Sequence, residues 1–417
     1  RGLRNPDGTG VMAGLTNICS VEGYYIDDGE RVPKNGVLKY RGININDIIE
    51  ACEKEDRFGF EEVAYLLIFG SLPTKEQVNL FRDILGICRF LPDTYIEDVL
   101  MKNASMDIMN KLARCILISY SFDENPDDVS IENVLRQSIQ LIARLPIIAA
   151  NAYSVKKHIY EDDSLLIHRP KAGLATAQNF MRILGQDVSF DEKEARLLDL
   201  CLVLHAEHGG GNNSAFTVRV LSSTSTDTYS TISAAIGSLK GPKHGGANAK
   251  TLAQMTEIKS NIKNWSDEEE ILSYLEKILR KEAGDGSGLI YGIGHAIYTL
   301  SDPRAVILKE YAKTLAEATG NMDEFNLYTL IEKKAPEAFK NVKGITSPMP
   351  ANVDFYSGFV YQMLNIPEEL HTPLFAMARI VGWCAHRIEE VMTGGKIIRP
   401  AYKSVIKRSE YTHLSDR

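Results

Sequence analysis

Several features that would point to a particular chemistry are missing from this 417-residue sequence. Its six cysteines are scattered and form no CxxC pair, which disfavours a disulfide framework and indicates reduced thiols in a cytosolic protein. No apolar run approaches the ~18 residues of a membrane-spanning helix, so no membrane partner is expected. The first ten residues are polar and contain no signal segment. Because the sequence lacks an initiator Met, a leader that has been removed stays an alternative.

Clustered positive charge is also scarce. The formal net charge is −8 and no basic block is present, which argues against a nucleic-acid partner because phosphate binding needs a basic face. An anionic ligand must therefore be held by a few local cations. The pair Gly292 and Gly294 is not completed to a GxGxxG loop, so dinucleotide binding is only weakly supported. The length is sufficient for two or three domains.

Strand patterns are few, whereas helical patterns are common. The segments Gly23–Asp28 and Gly36–Tyr40 predict a small hairpin near the N-terminus. Apolar residues at steps of three and four predict helices over Asn133–His158, Ile271–Ala283 and Pro373–Met392. The sequence therefore predicts a mainly α fold with a small N-terminal β-hairpin.

Glycines and prolines cluster beside a histidine or an aspartate at four places in the sequence. These clusters predict loops, and catalytic and binding residues often lie on loops that a rigid scaffold positions. In the first place, His208 follows a helix-like run and precedes Gly209–Gly211, where the backbone can approach a ligand closely. His205, Glu207 and His208 could instead hold zinc, although no HExxH motif is present. A histidine that only caps the helix is the third interpretation.

His244 is the candidate in the second glycine-rich turn. A helix predicted from about Asp227 ends at Lys240 before a Gly-Pro pair, and a second helix restarts near Ala247. His244 thus lies just before a helix N-terminus, whose dipole disfavours imidazolium. A neutral imidazole there could donate a hydrogen bond to a carbonyl and support its enol. A turn histidine without any role is equally compatible with the sequence.

The third segment contains His295 and ends with Asp302-Pro303-Arg304. Asp302 as N-cap and Pro303 at the first position predict a helix over Ala305–Thr319. Arg304 then lies in the first turn, where a cation is disfavoured by ~0.3–1 kcal/mol, and a broken local rule often marks a functional site. A guanidinium beside free backbone N–H groups suits a carboxylate ligand. A solvated arginine is the alternative.

Asp354 is the candidate carboxylate of the fourth segment. Its apolar and aromatic neighbours would raise its basicity, whereas a simple N-cap is the alternative. Arg379 lies one position from the apolar stripe of its predicted helix and is expected to be half-buried and to need an anion. Arg399 is unremarkable by itself. Three histidines, one carboxylate and three arginines together suit proton abstraction next to a carbonyl, with capture of a small polyanion and without a metal.

Four ordered segments resemble the signature segments of the citrate synthase family. They are Gly241–Asn248 (GPKHGGAN), Gly292–Arg304 (GIGHAIYTLSDPR), Asn352–Gly358 (NVDFYSG) and Ala378–His386 (ARIVGWCAH). Phe60–Thr74 and Tyr40–Gly42 resemble the N-terminal region of the family, and the likeness extends from about Gly14 to the end of the chain.

The resemblance implies a citrate synthase-like two-domain helical fold in a homodimer. Residues 1–244 and 359–417 would form the large domain, and residues 245–358 the small one. The cleft between them would bind oxaloacetate and then acetyl-CoA, giving citrate and CoA. His244 would hold the thioester carbonyl, Asp354 would remove the methyl proton, and His295 would polarise the oxaloacetate carbonyl. The substrate-binding residues would be His208, Asn212, Arg304, Arg379 and, from the partner subunit, Arg399, with Ser214 beside the site.

Acetyl-CoA is expected as a co-substrate, without a tightly bound cofactor or metal. The residues implied in CoA binding are Gly292, Ile293, Gly294 and Lys343. The sequence departs from many members because no basic residue follows His295 closely, so Lys309 or Lys343 would have to hold the CoA phosphates. A 2-methylcitrate synthase that uses propionyl-CoA is the nearest alternative, since one methylene is worth only ~1–3 kcal/mol. A zinc hydrolase and an inactive acyl-CoA-binding scaffold are more distant alternatives.

Overall fold

The structure is a computed structural model that describes residues 2–5, 10–185 and 187–417. It is mainly helical, which confirms the predicted fold class. The α-helices are α1 (Ile45–Lys54), α2 (Phe60–Phe69), α3 (Lys75–Cys88), α4 (Ile108–Ile118), α5 (Ile131–Tyr160), α6 (Thr176–Leu184), α7 (Glu192–His205), α8 (Asn213–Ser222), α9 (Thr228–Lys240), α10 (Ala247–Asn261), α11 (Glu268–Arg280), α12 (Pro303–Thr319), α13 (Met322–Lys343), α14 (Val353–Met363) and α15 (His371–Thr393). A π-helix spans Tyr95–Met101, and short 3₁₀ helices span Ser119–Phe122, Glu368–Leu370 and Leu414–Asp416. No helix in these described ranges is long and apolar enough to cross a membrane.

The predicted helices are present, with ends that differ by a few residues. The prediction Asn133–His158 lies within α5, and Pro373–Met392 lies within α15. Helix α11 begins earlier than predicted because Asp267 caps it, accepting hydrogen bonds from the N–H groups of Glu269 (3.0 Å) and Glu270 (3.2 Å). Caps and first turns are polar, so apolar periodicity alone does not reveal them.

Helix α15 lies at the centre of the helical body, where it packs against α2, α5, α7, α8 and α9. Every residue from 373 to 388 is buried. A helix that is covered on all sides must be apolar all round unless its polar side chains find partners inside. The helices α10 to α14 form a second group, in which α11 packs on α13, α12 on α13 and α14, and α10 on α14.

The predicted N-terminal hairpin is present and longer than the sequence indicated. Strand β1 (Cys19–Asp27) pairs antiparallel with β2 (Glu30–Tyr40), and a short β3 (Ile43–Asn44) extends the sheet. The register of β1 and β2 shifts between Glu22 and Tyr24, which leaves a bulge at the intervening residue.

The hairpin contacts the segment that precedes α12. The N–H of Gly36 donates to the carbonyl of Ser301 at 3.1 Å. A Cβ atom on Gly23 would lie only 2.6 Å from the Cα of Tyr298, so only glycine permits this approach of two backbones. The hairpin therefore fixes the position of the segment that contains His295.

Candidate active site

His208 and His295 lie side by side. Their ring centroids are 5.2 Å apart in an edge-to-face arrangement. Tyr298 contacts both, because its ring stacks on His295 at 4.5 Å and its hydroxyl lies 3.2 Å from Nε2 of His208. His208 follows the end of α7 by three residues, so the interpretation as a capping histidine is wrong. No local pattern in the sequence assigns Tyr298 a role, and its place shortly after His295 is the one signal there that points to it.

The ring of His295 has a defined hydrogen position. Its Nδ1 accepts from the backbone N–H groups of Ile297 (3.0 Å) and Tyr298 (3.1 Å), so this nitrogen carries no hydrogen. Burial, and then the charge of Arg304, lower its pKa to about 4, although Asp302 acts in the opposite direction. His295 is therefore neutral at pH 7, with its hydrogen on Nε2.

Arg304 is buried at the start of α12 and forms a two-point ion pair. Its Nε and Nη2 donate to Oδ1 (3.0 Å) and Oδ2 (2.7 Å) of Asp302. The same carboxylate caps α12 by accepting from the N–H of Arg304 at 3.0 Å, and Pro303 occupies the first position as predicted. The interpretation of Arg304 as a solvated arginine is wrong. The ion pair leaves Nη1 for a further acceptor.

Arg379 is fully buried in α15, so the expectation that it is half-buried is wrong. Because α15 is covered on all sides, a position beside its apolar stripe is as inaccessible as the stripe itself. Its Nε donates to the carbonyl of His205 at 2.7 Å. Among the described residues, Nη1 and Nη2 have no hydrogen-bond partner. A buried guanidinium with two unpaired nitrogens is costly unless an anion binds there.

His244 lies in the turn between α9 and α10, and α10 starts at Ala247 as predicted. The side chain is half-buried, and its Nε2 lies 3.0 Å from Oγ of Ser214. Burial, and then the charge of Arg379, lower the pKa of His244 to about 4. The imidazole is therefore neutral at pH 7, in agreement with the expectation from the helix dipole.

Asp354 is the second residue of α14 and does not cap it. The cap is Asn352, whose Oδ1 accepts from the N–H of Asp354 at 3.0 Å, so the N-cap interpretation of Asp354 is wrong. Its side chain is partly buried, and its Oδ1 has no hydrogen-bond partner in the described part of the chain. Burial raises its pKa to about 7; Arg304 and Arg379 oppose this effect, whereas Asp302 adds to it.

These groups act on one another electrostatically. The pKa of His208 is held well below its usual value, first by burial and then by the charges of Arg304, His295, Arg379 and His244. The same two arginines act on the carboxyl of Asp354. We call the six residues the charged cluster: His208, His244, His295, Arg304, Asp354 and Arg379.

Asn212 and Arg399, which the resemblance implies in substrate binding, are not members of the charged cluster. Asn212 caps α8 by position, and its Oδ1 accepts from Oγ of Ser214 at 2.9 Å, which links it to His244. Arg399 is exposed in the irregular segment after α15. No contact within the described ranges joins Arg399 to the charged cluster, so a single chain does not bring it there.

The residues implied in CoA binding connect the His295 segment with α14. The N–H of Gly294 donates to the carbonyl of Pro350 (2.7 Å), and the N–H of Asn352 donates to that of Gly292 (2.8 Å), with Ile293 between them. Both glycines have positive φ, 79° and 94°, which favours glycine there. Lys343, the last residue of α13, donates from Nζ to the carbonyl of Gly288 at 2.6 Å.

The side chains of the alternative zinc site, His205, Glu207 and His208, each contact other residues instead of one another. The ring of His205 packs on Phe375 with centroids 4.4 Å apart. Oε1 of Glu207 lies 3.0 Å from Nε2 of His386, far along α15 in sequence. In the described parts of the chain, no three His, Cys, Asp or Glu residues come together in a way that could hold a metal ion.

Comparison with known proteins identifies the family. A protein-family model described as "Citrate synthase, C-terminal domain" matches residues 6–401. The chain belongs to the citrate synthase family. Citrate synthase of a Synechocystis strain is 34% identical over 94% of this chain and 88% of its own length. The protein named 2-methylcitrate synthase 1 of Corynebacterium glutamicum is 31% identical over 98% of both chains. The crystal structure of citrate synthase from Thermotoga maritima is similar over 98% of both chains, with a TM-score of 0.77 at 28% identity. The resemblance of the four segments and the citrate synthase-like fold are therefore confirmed.

Proposed function

We propose that this chain condenses acetyl-CoA with oxaloacetate and hydrolyses the resulting citryl-CoA to citrate and CoA. One observation carries the proposal: a carboxyl with a pKa of about 7 shares the charged cluster with two neutral imidazoles and a buried guanidinium, two nitrogens of which have no partner among the described residues. Enolisation of a thioester needs a base that is active near neutral pH and hydrogen-bond donors that hold the developing enol. A guanidinium supplies the site for a carboxylate substrate.

The first step is the removal of a methyl proton from acetyl-CoA by Asp354. Its unpaired Oδ1 is the acceptor, and burial makes the carboxylate a stronger base than it would be in water. His244 has Nε2 beside Ser214, which leaves Nδ1 to face the thioester oxygen. A neutral imidazole can support the enol by a hydrogen bond without requiring a full proton transfer.

In the second step the enol carbon attacks the oxaloacetate carbonyl and forms the new carbon–carbon bond. His295 donates from Nε2 to the carbonyl oxygen as negative charge develops there. The carboxylates are held by Nη1 and Nη2 of Arg379, by Nη1 of Arg304 and by His208, with Arg399 contributed by the partner subunit. Water then cleaves the thioester of citryl-CoA.

CoA binding is assigned to the segment Gly292–Gly294 and to Lys343. Lys343 donates to a carbonyl and has no anionic partner in the described ranges, so its charge is available for a phosphate. Lys309 is less suitable because its Nζ is paired with Glu332 at 2.5 Å. Asn212 would act from beside the site through Ser214.

We further propose the two-domain division, with 245–358 as the small domain, and a homodimer in the cytoplasm that uses acetyl-CoA as co-substrate without a tightly bound cofactor. The division is supported by the packing of α10 to α14 mainly against one another, with fewer contacts from α10 and α12 to the rest of the chain. Small-angle X-ray scattering with and without oxaloacetate tests it, since closure of a cleft lowers the radius of gyration. Sedimentation velocity tests the dimer.

A 2-methylcitrate synthase is the second candidate, favoured by the relative of that name which matches 98% of this chain. The deciding experiment measures thiol release in the presence of oxaloacetate, with acetyl-CoA and propionyl-CoA in separate reactions and mass spectrometry of the products. We expect citrate from acetyl-CoA with the higher kcat/KM. No thiol release with either thioester would refute both functions.

A further inference from the structure

Glu207 lies against α15, on the same side of that helix as Arg379. Its Oε1 lies 3.0 Å from Nε2 of His386 and also accepts from the N–H of Gly209 at 2.6 Å. A Cβ atom on Gly382 would collide with Oε2 of Glu207, so the carboxylate fills the space that a side chain would need there. Residues 379, 382 and 386 follow one another at steps of three and four and therefore share one face of α15. The carboxylate thus lies beside a position that is less than one helical turn from Arg379.

His386 does not supply a positive charge to this carboxylate. Its Nδ1 accepts from Nε (3.2 Å) and Nη2 (2.8 Å) of Arg219, so this nitrogen carries no hydrogen. The hydrogen of the neutral ring is therefore on Nε2, which donates it to Oε1 of Glu207. Arg219 itself is paired with Glu389 and Glu390. Oε2 of Glu207 is fully buried and has no hydrogen-bond partner in the described part of the chain.

Glu207 and Arg379 offset each other's charge through space. Nη1 and Nη2 of Arg379 and Oε2 of Glu207 all have no hydrogen-bond partner among the described residues. Burial lowers the pKa of Arg379, and the charge of Glu207 is the first that opposes this effect. Burial acts to raise the pKa of Glu207, but His386, Arg379 and the N–H of Gly209 outweigh it and hold the pKa below its usual value. Glu207 is therefore a carboxylate at pH 7.

The two buried arginines of the charged cluster are thus compensated in different ways. Asp302 occupies two nitrogens of Arg304, whereas Arg379 keeps both terminal nitrogens for a ligand although an anion lies near it. A carboxylate that binds Arg379 meets the attraction of the guanidinium and also the repulsion of Glu207.

We propose that Glu207 is a positioning residue that acts through Arg379: its charge makes the empty carboxylate site stable and limits the affinity of that site for oxaloacetate. The limited affinity also lets the carboxylates of the product leave. This inference rests on the proposed function, in which Arg379 binds a carboxylate of the substrate.

Two substitutions separate charge from shape at position 207. Glu207→Gln keeps the shape and removes the charge, whereas Glu207→Asp keeps the charge and alters the contacts with His386 and Gly209. The matched control is Glu50→Gln, which removes one negative charge from an exposed position of α1. We expect this control to bind oxaloacetate as the unaltered chain does.

The Kd for oxaloacetate, measured by isothermal titration calorimetry, should fall about tenfold in Glu207→Gln, because the bound carboxylate no longer meets a like charge in a poorly screened interior. The Kd of Glu207→Asp should stay within about threefold of the unaltered chain, since the charge is retained. In Glu207→Gln the KM for oxaloacetate and kcat should fall together, because the product leaves more slowly. An unchanged or raised Kd in Glu207→Gln overturns the inference. Equal tightening in Glu207→Asp also overturns it, because shape and not charge would then be responsible.

The Arg379→Gln background tests whether Glu207 acts through Arg379. In that background Glu207→Gln should change the Kd by less than about twofold, whereas a full tenfold change contradicts the proposed coupling. Without ligand, Glu207→Gln should melt at a lower temperature, since a buried guanidinium has lost its counter-charge. Saturating oxaloacetate should then raise the melting temperature by more than it does in the unaltered chain. A merely structural role would lower the melting temperature without this larger ligand effect.

Sulfate is a probe that does not depend on the proposed function. We expect sulfate to raise the melting temperature of Glu207→Gln more than that of the unaltered chain. The double variant with Arg379→Gln should lose this difference, and an equal effect of sulfate on all three proteins contradicts the inference. If the unaltered chain releases no thiol with either thioester, the proposed function fails, whereas the sulfate comparison still decides the role of Glu207.

Discussion

Replacement of Asp354 by asparagine tests the base directly, because it keeps the shape of the side chain and removes its ability to accept a proton. The difference between a pKa of about 7 and the ordinary 3.8 corresponds to roughly 4 kcal/mol of added basicity. A positioned general base typically contributes about 10²–10⁴ in rate. We therefore expect Asp354→Asn to lower kcat by about a thousandfold or more.

Oxaloacetate binding is expected to change little in this variant. The variant leaves Arg379 intact, including the two nitrogens that have no partner in the described part of the chain, so the Kd measured by isothermal titration calorimetry stays within about threefold, in line with an unaltered anion contact. The matched control is Asp323→Asn, since Asp323 is the second residue of α13 as Asp354 is of α14, but it is exposed. This control keeps the activity of the unaltered chain in a thiol-release assay.

The pH dependence provides an independent measurement of the same carboxyl. Only deprotonated Asp354 can act as the base, so activity is lost as the pH falls through its raised pKa of about 7. Bound oxaloacetate offsets the charges of Arg304 and Arg379, which lower this pKa, and therefore keeps it at or above 7. The pKa values of His244 and His295 are about 4 in the chain without substrate, and burial, the first cause of these low values, persists when oxaloacetate binds, so neither ring is expected to add a step between pH 5.5 and 9.

The assay is kcat/KM for acetyl-CoA at saturating oxaloacetate. Its logarithm should rise with unit slope up to about pH 7 and then level off, as expected for one essential base. A flat profile between pH 5.5 and 8, or an Asp354→Asn variant that retains a tenth of the activity, would refute the reasoning.

Three further predictions follow from other parts of the structure. Lys343→Ala should raise the KM for acetyl-CoA by about tenfold, the cost of one charge-assisted contact, and leave kcat unchanged. If the variant and the unaltered chain have the same KM for acetyl-CoA, Lys343 does not bind a CoA phosphate. Arg399→Ala subunits mixed with inactive His244→Ala subunits should regain activity through shared sites, and failure to do so after confirmed subunit exchange counts against a partner arginine. Burial and then Glu61 raise the pKa of Asp199 to about 8 from an ordinary 3.8, so the folded state binds the extra proton and stability falls as the pH rises between these values. The free energy of unfolding, measured by urea denaturation from pH 5 to 8, should show this fall, and Asp199→Asn should reduce it. If the free energy of unfolding changes equally with pH in both proteins, the raised pKa does not belong to Asp199.

The sequence by itself determined the fold class and most of the helices, and it supplied the candidate site residues. Apolar periodicity and capping residues depend on neighbours a few positions away, so Asp302 and Pro303 were sufficient to place the start of α12. The same local rules identified His244 before a helix N-terminus and the hairpin near residue 30. The four ordered segments identified the family that the comparisons confirm.

Only the tertiary structure decided how those residues are paired and protonated. Among the described residues, Nη1 and Nη2 of Arg379 have no partner, and no pattern around Arg379 in α15 reveals this, whereas the pairing of Arg304 with Asp302 joins residues only two positions apart. The contacts of Tyr298 with His208 and of Trp383 with Ser214 join residues that are distant in sequence, and the burial of Asp354 depends on the same kind of packing. Desolvation and hydrogen-bond partners depend on what packs around a group in space, whereas a sequence lists only what precedes and follows it along the chain.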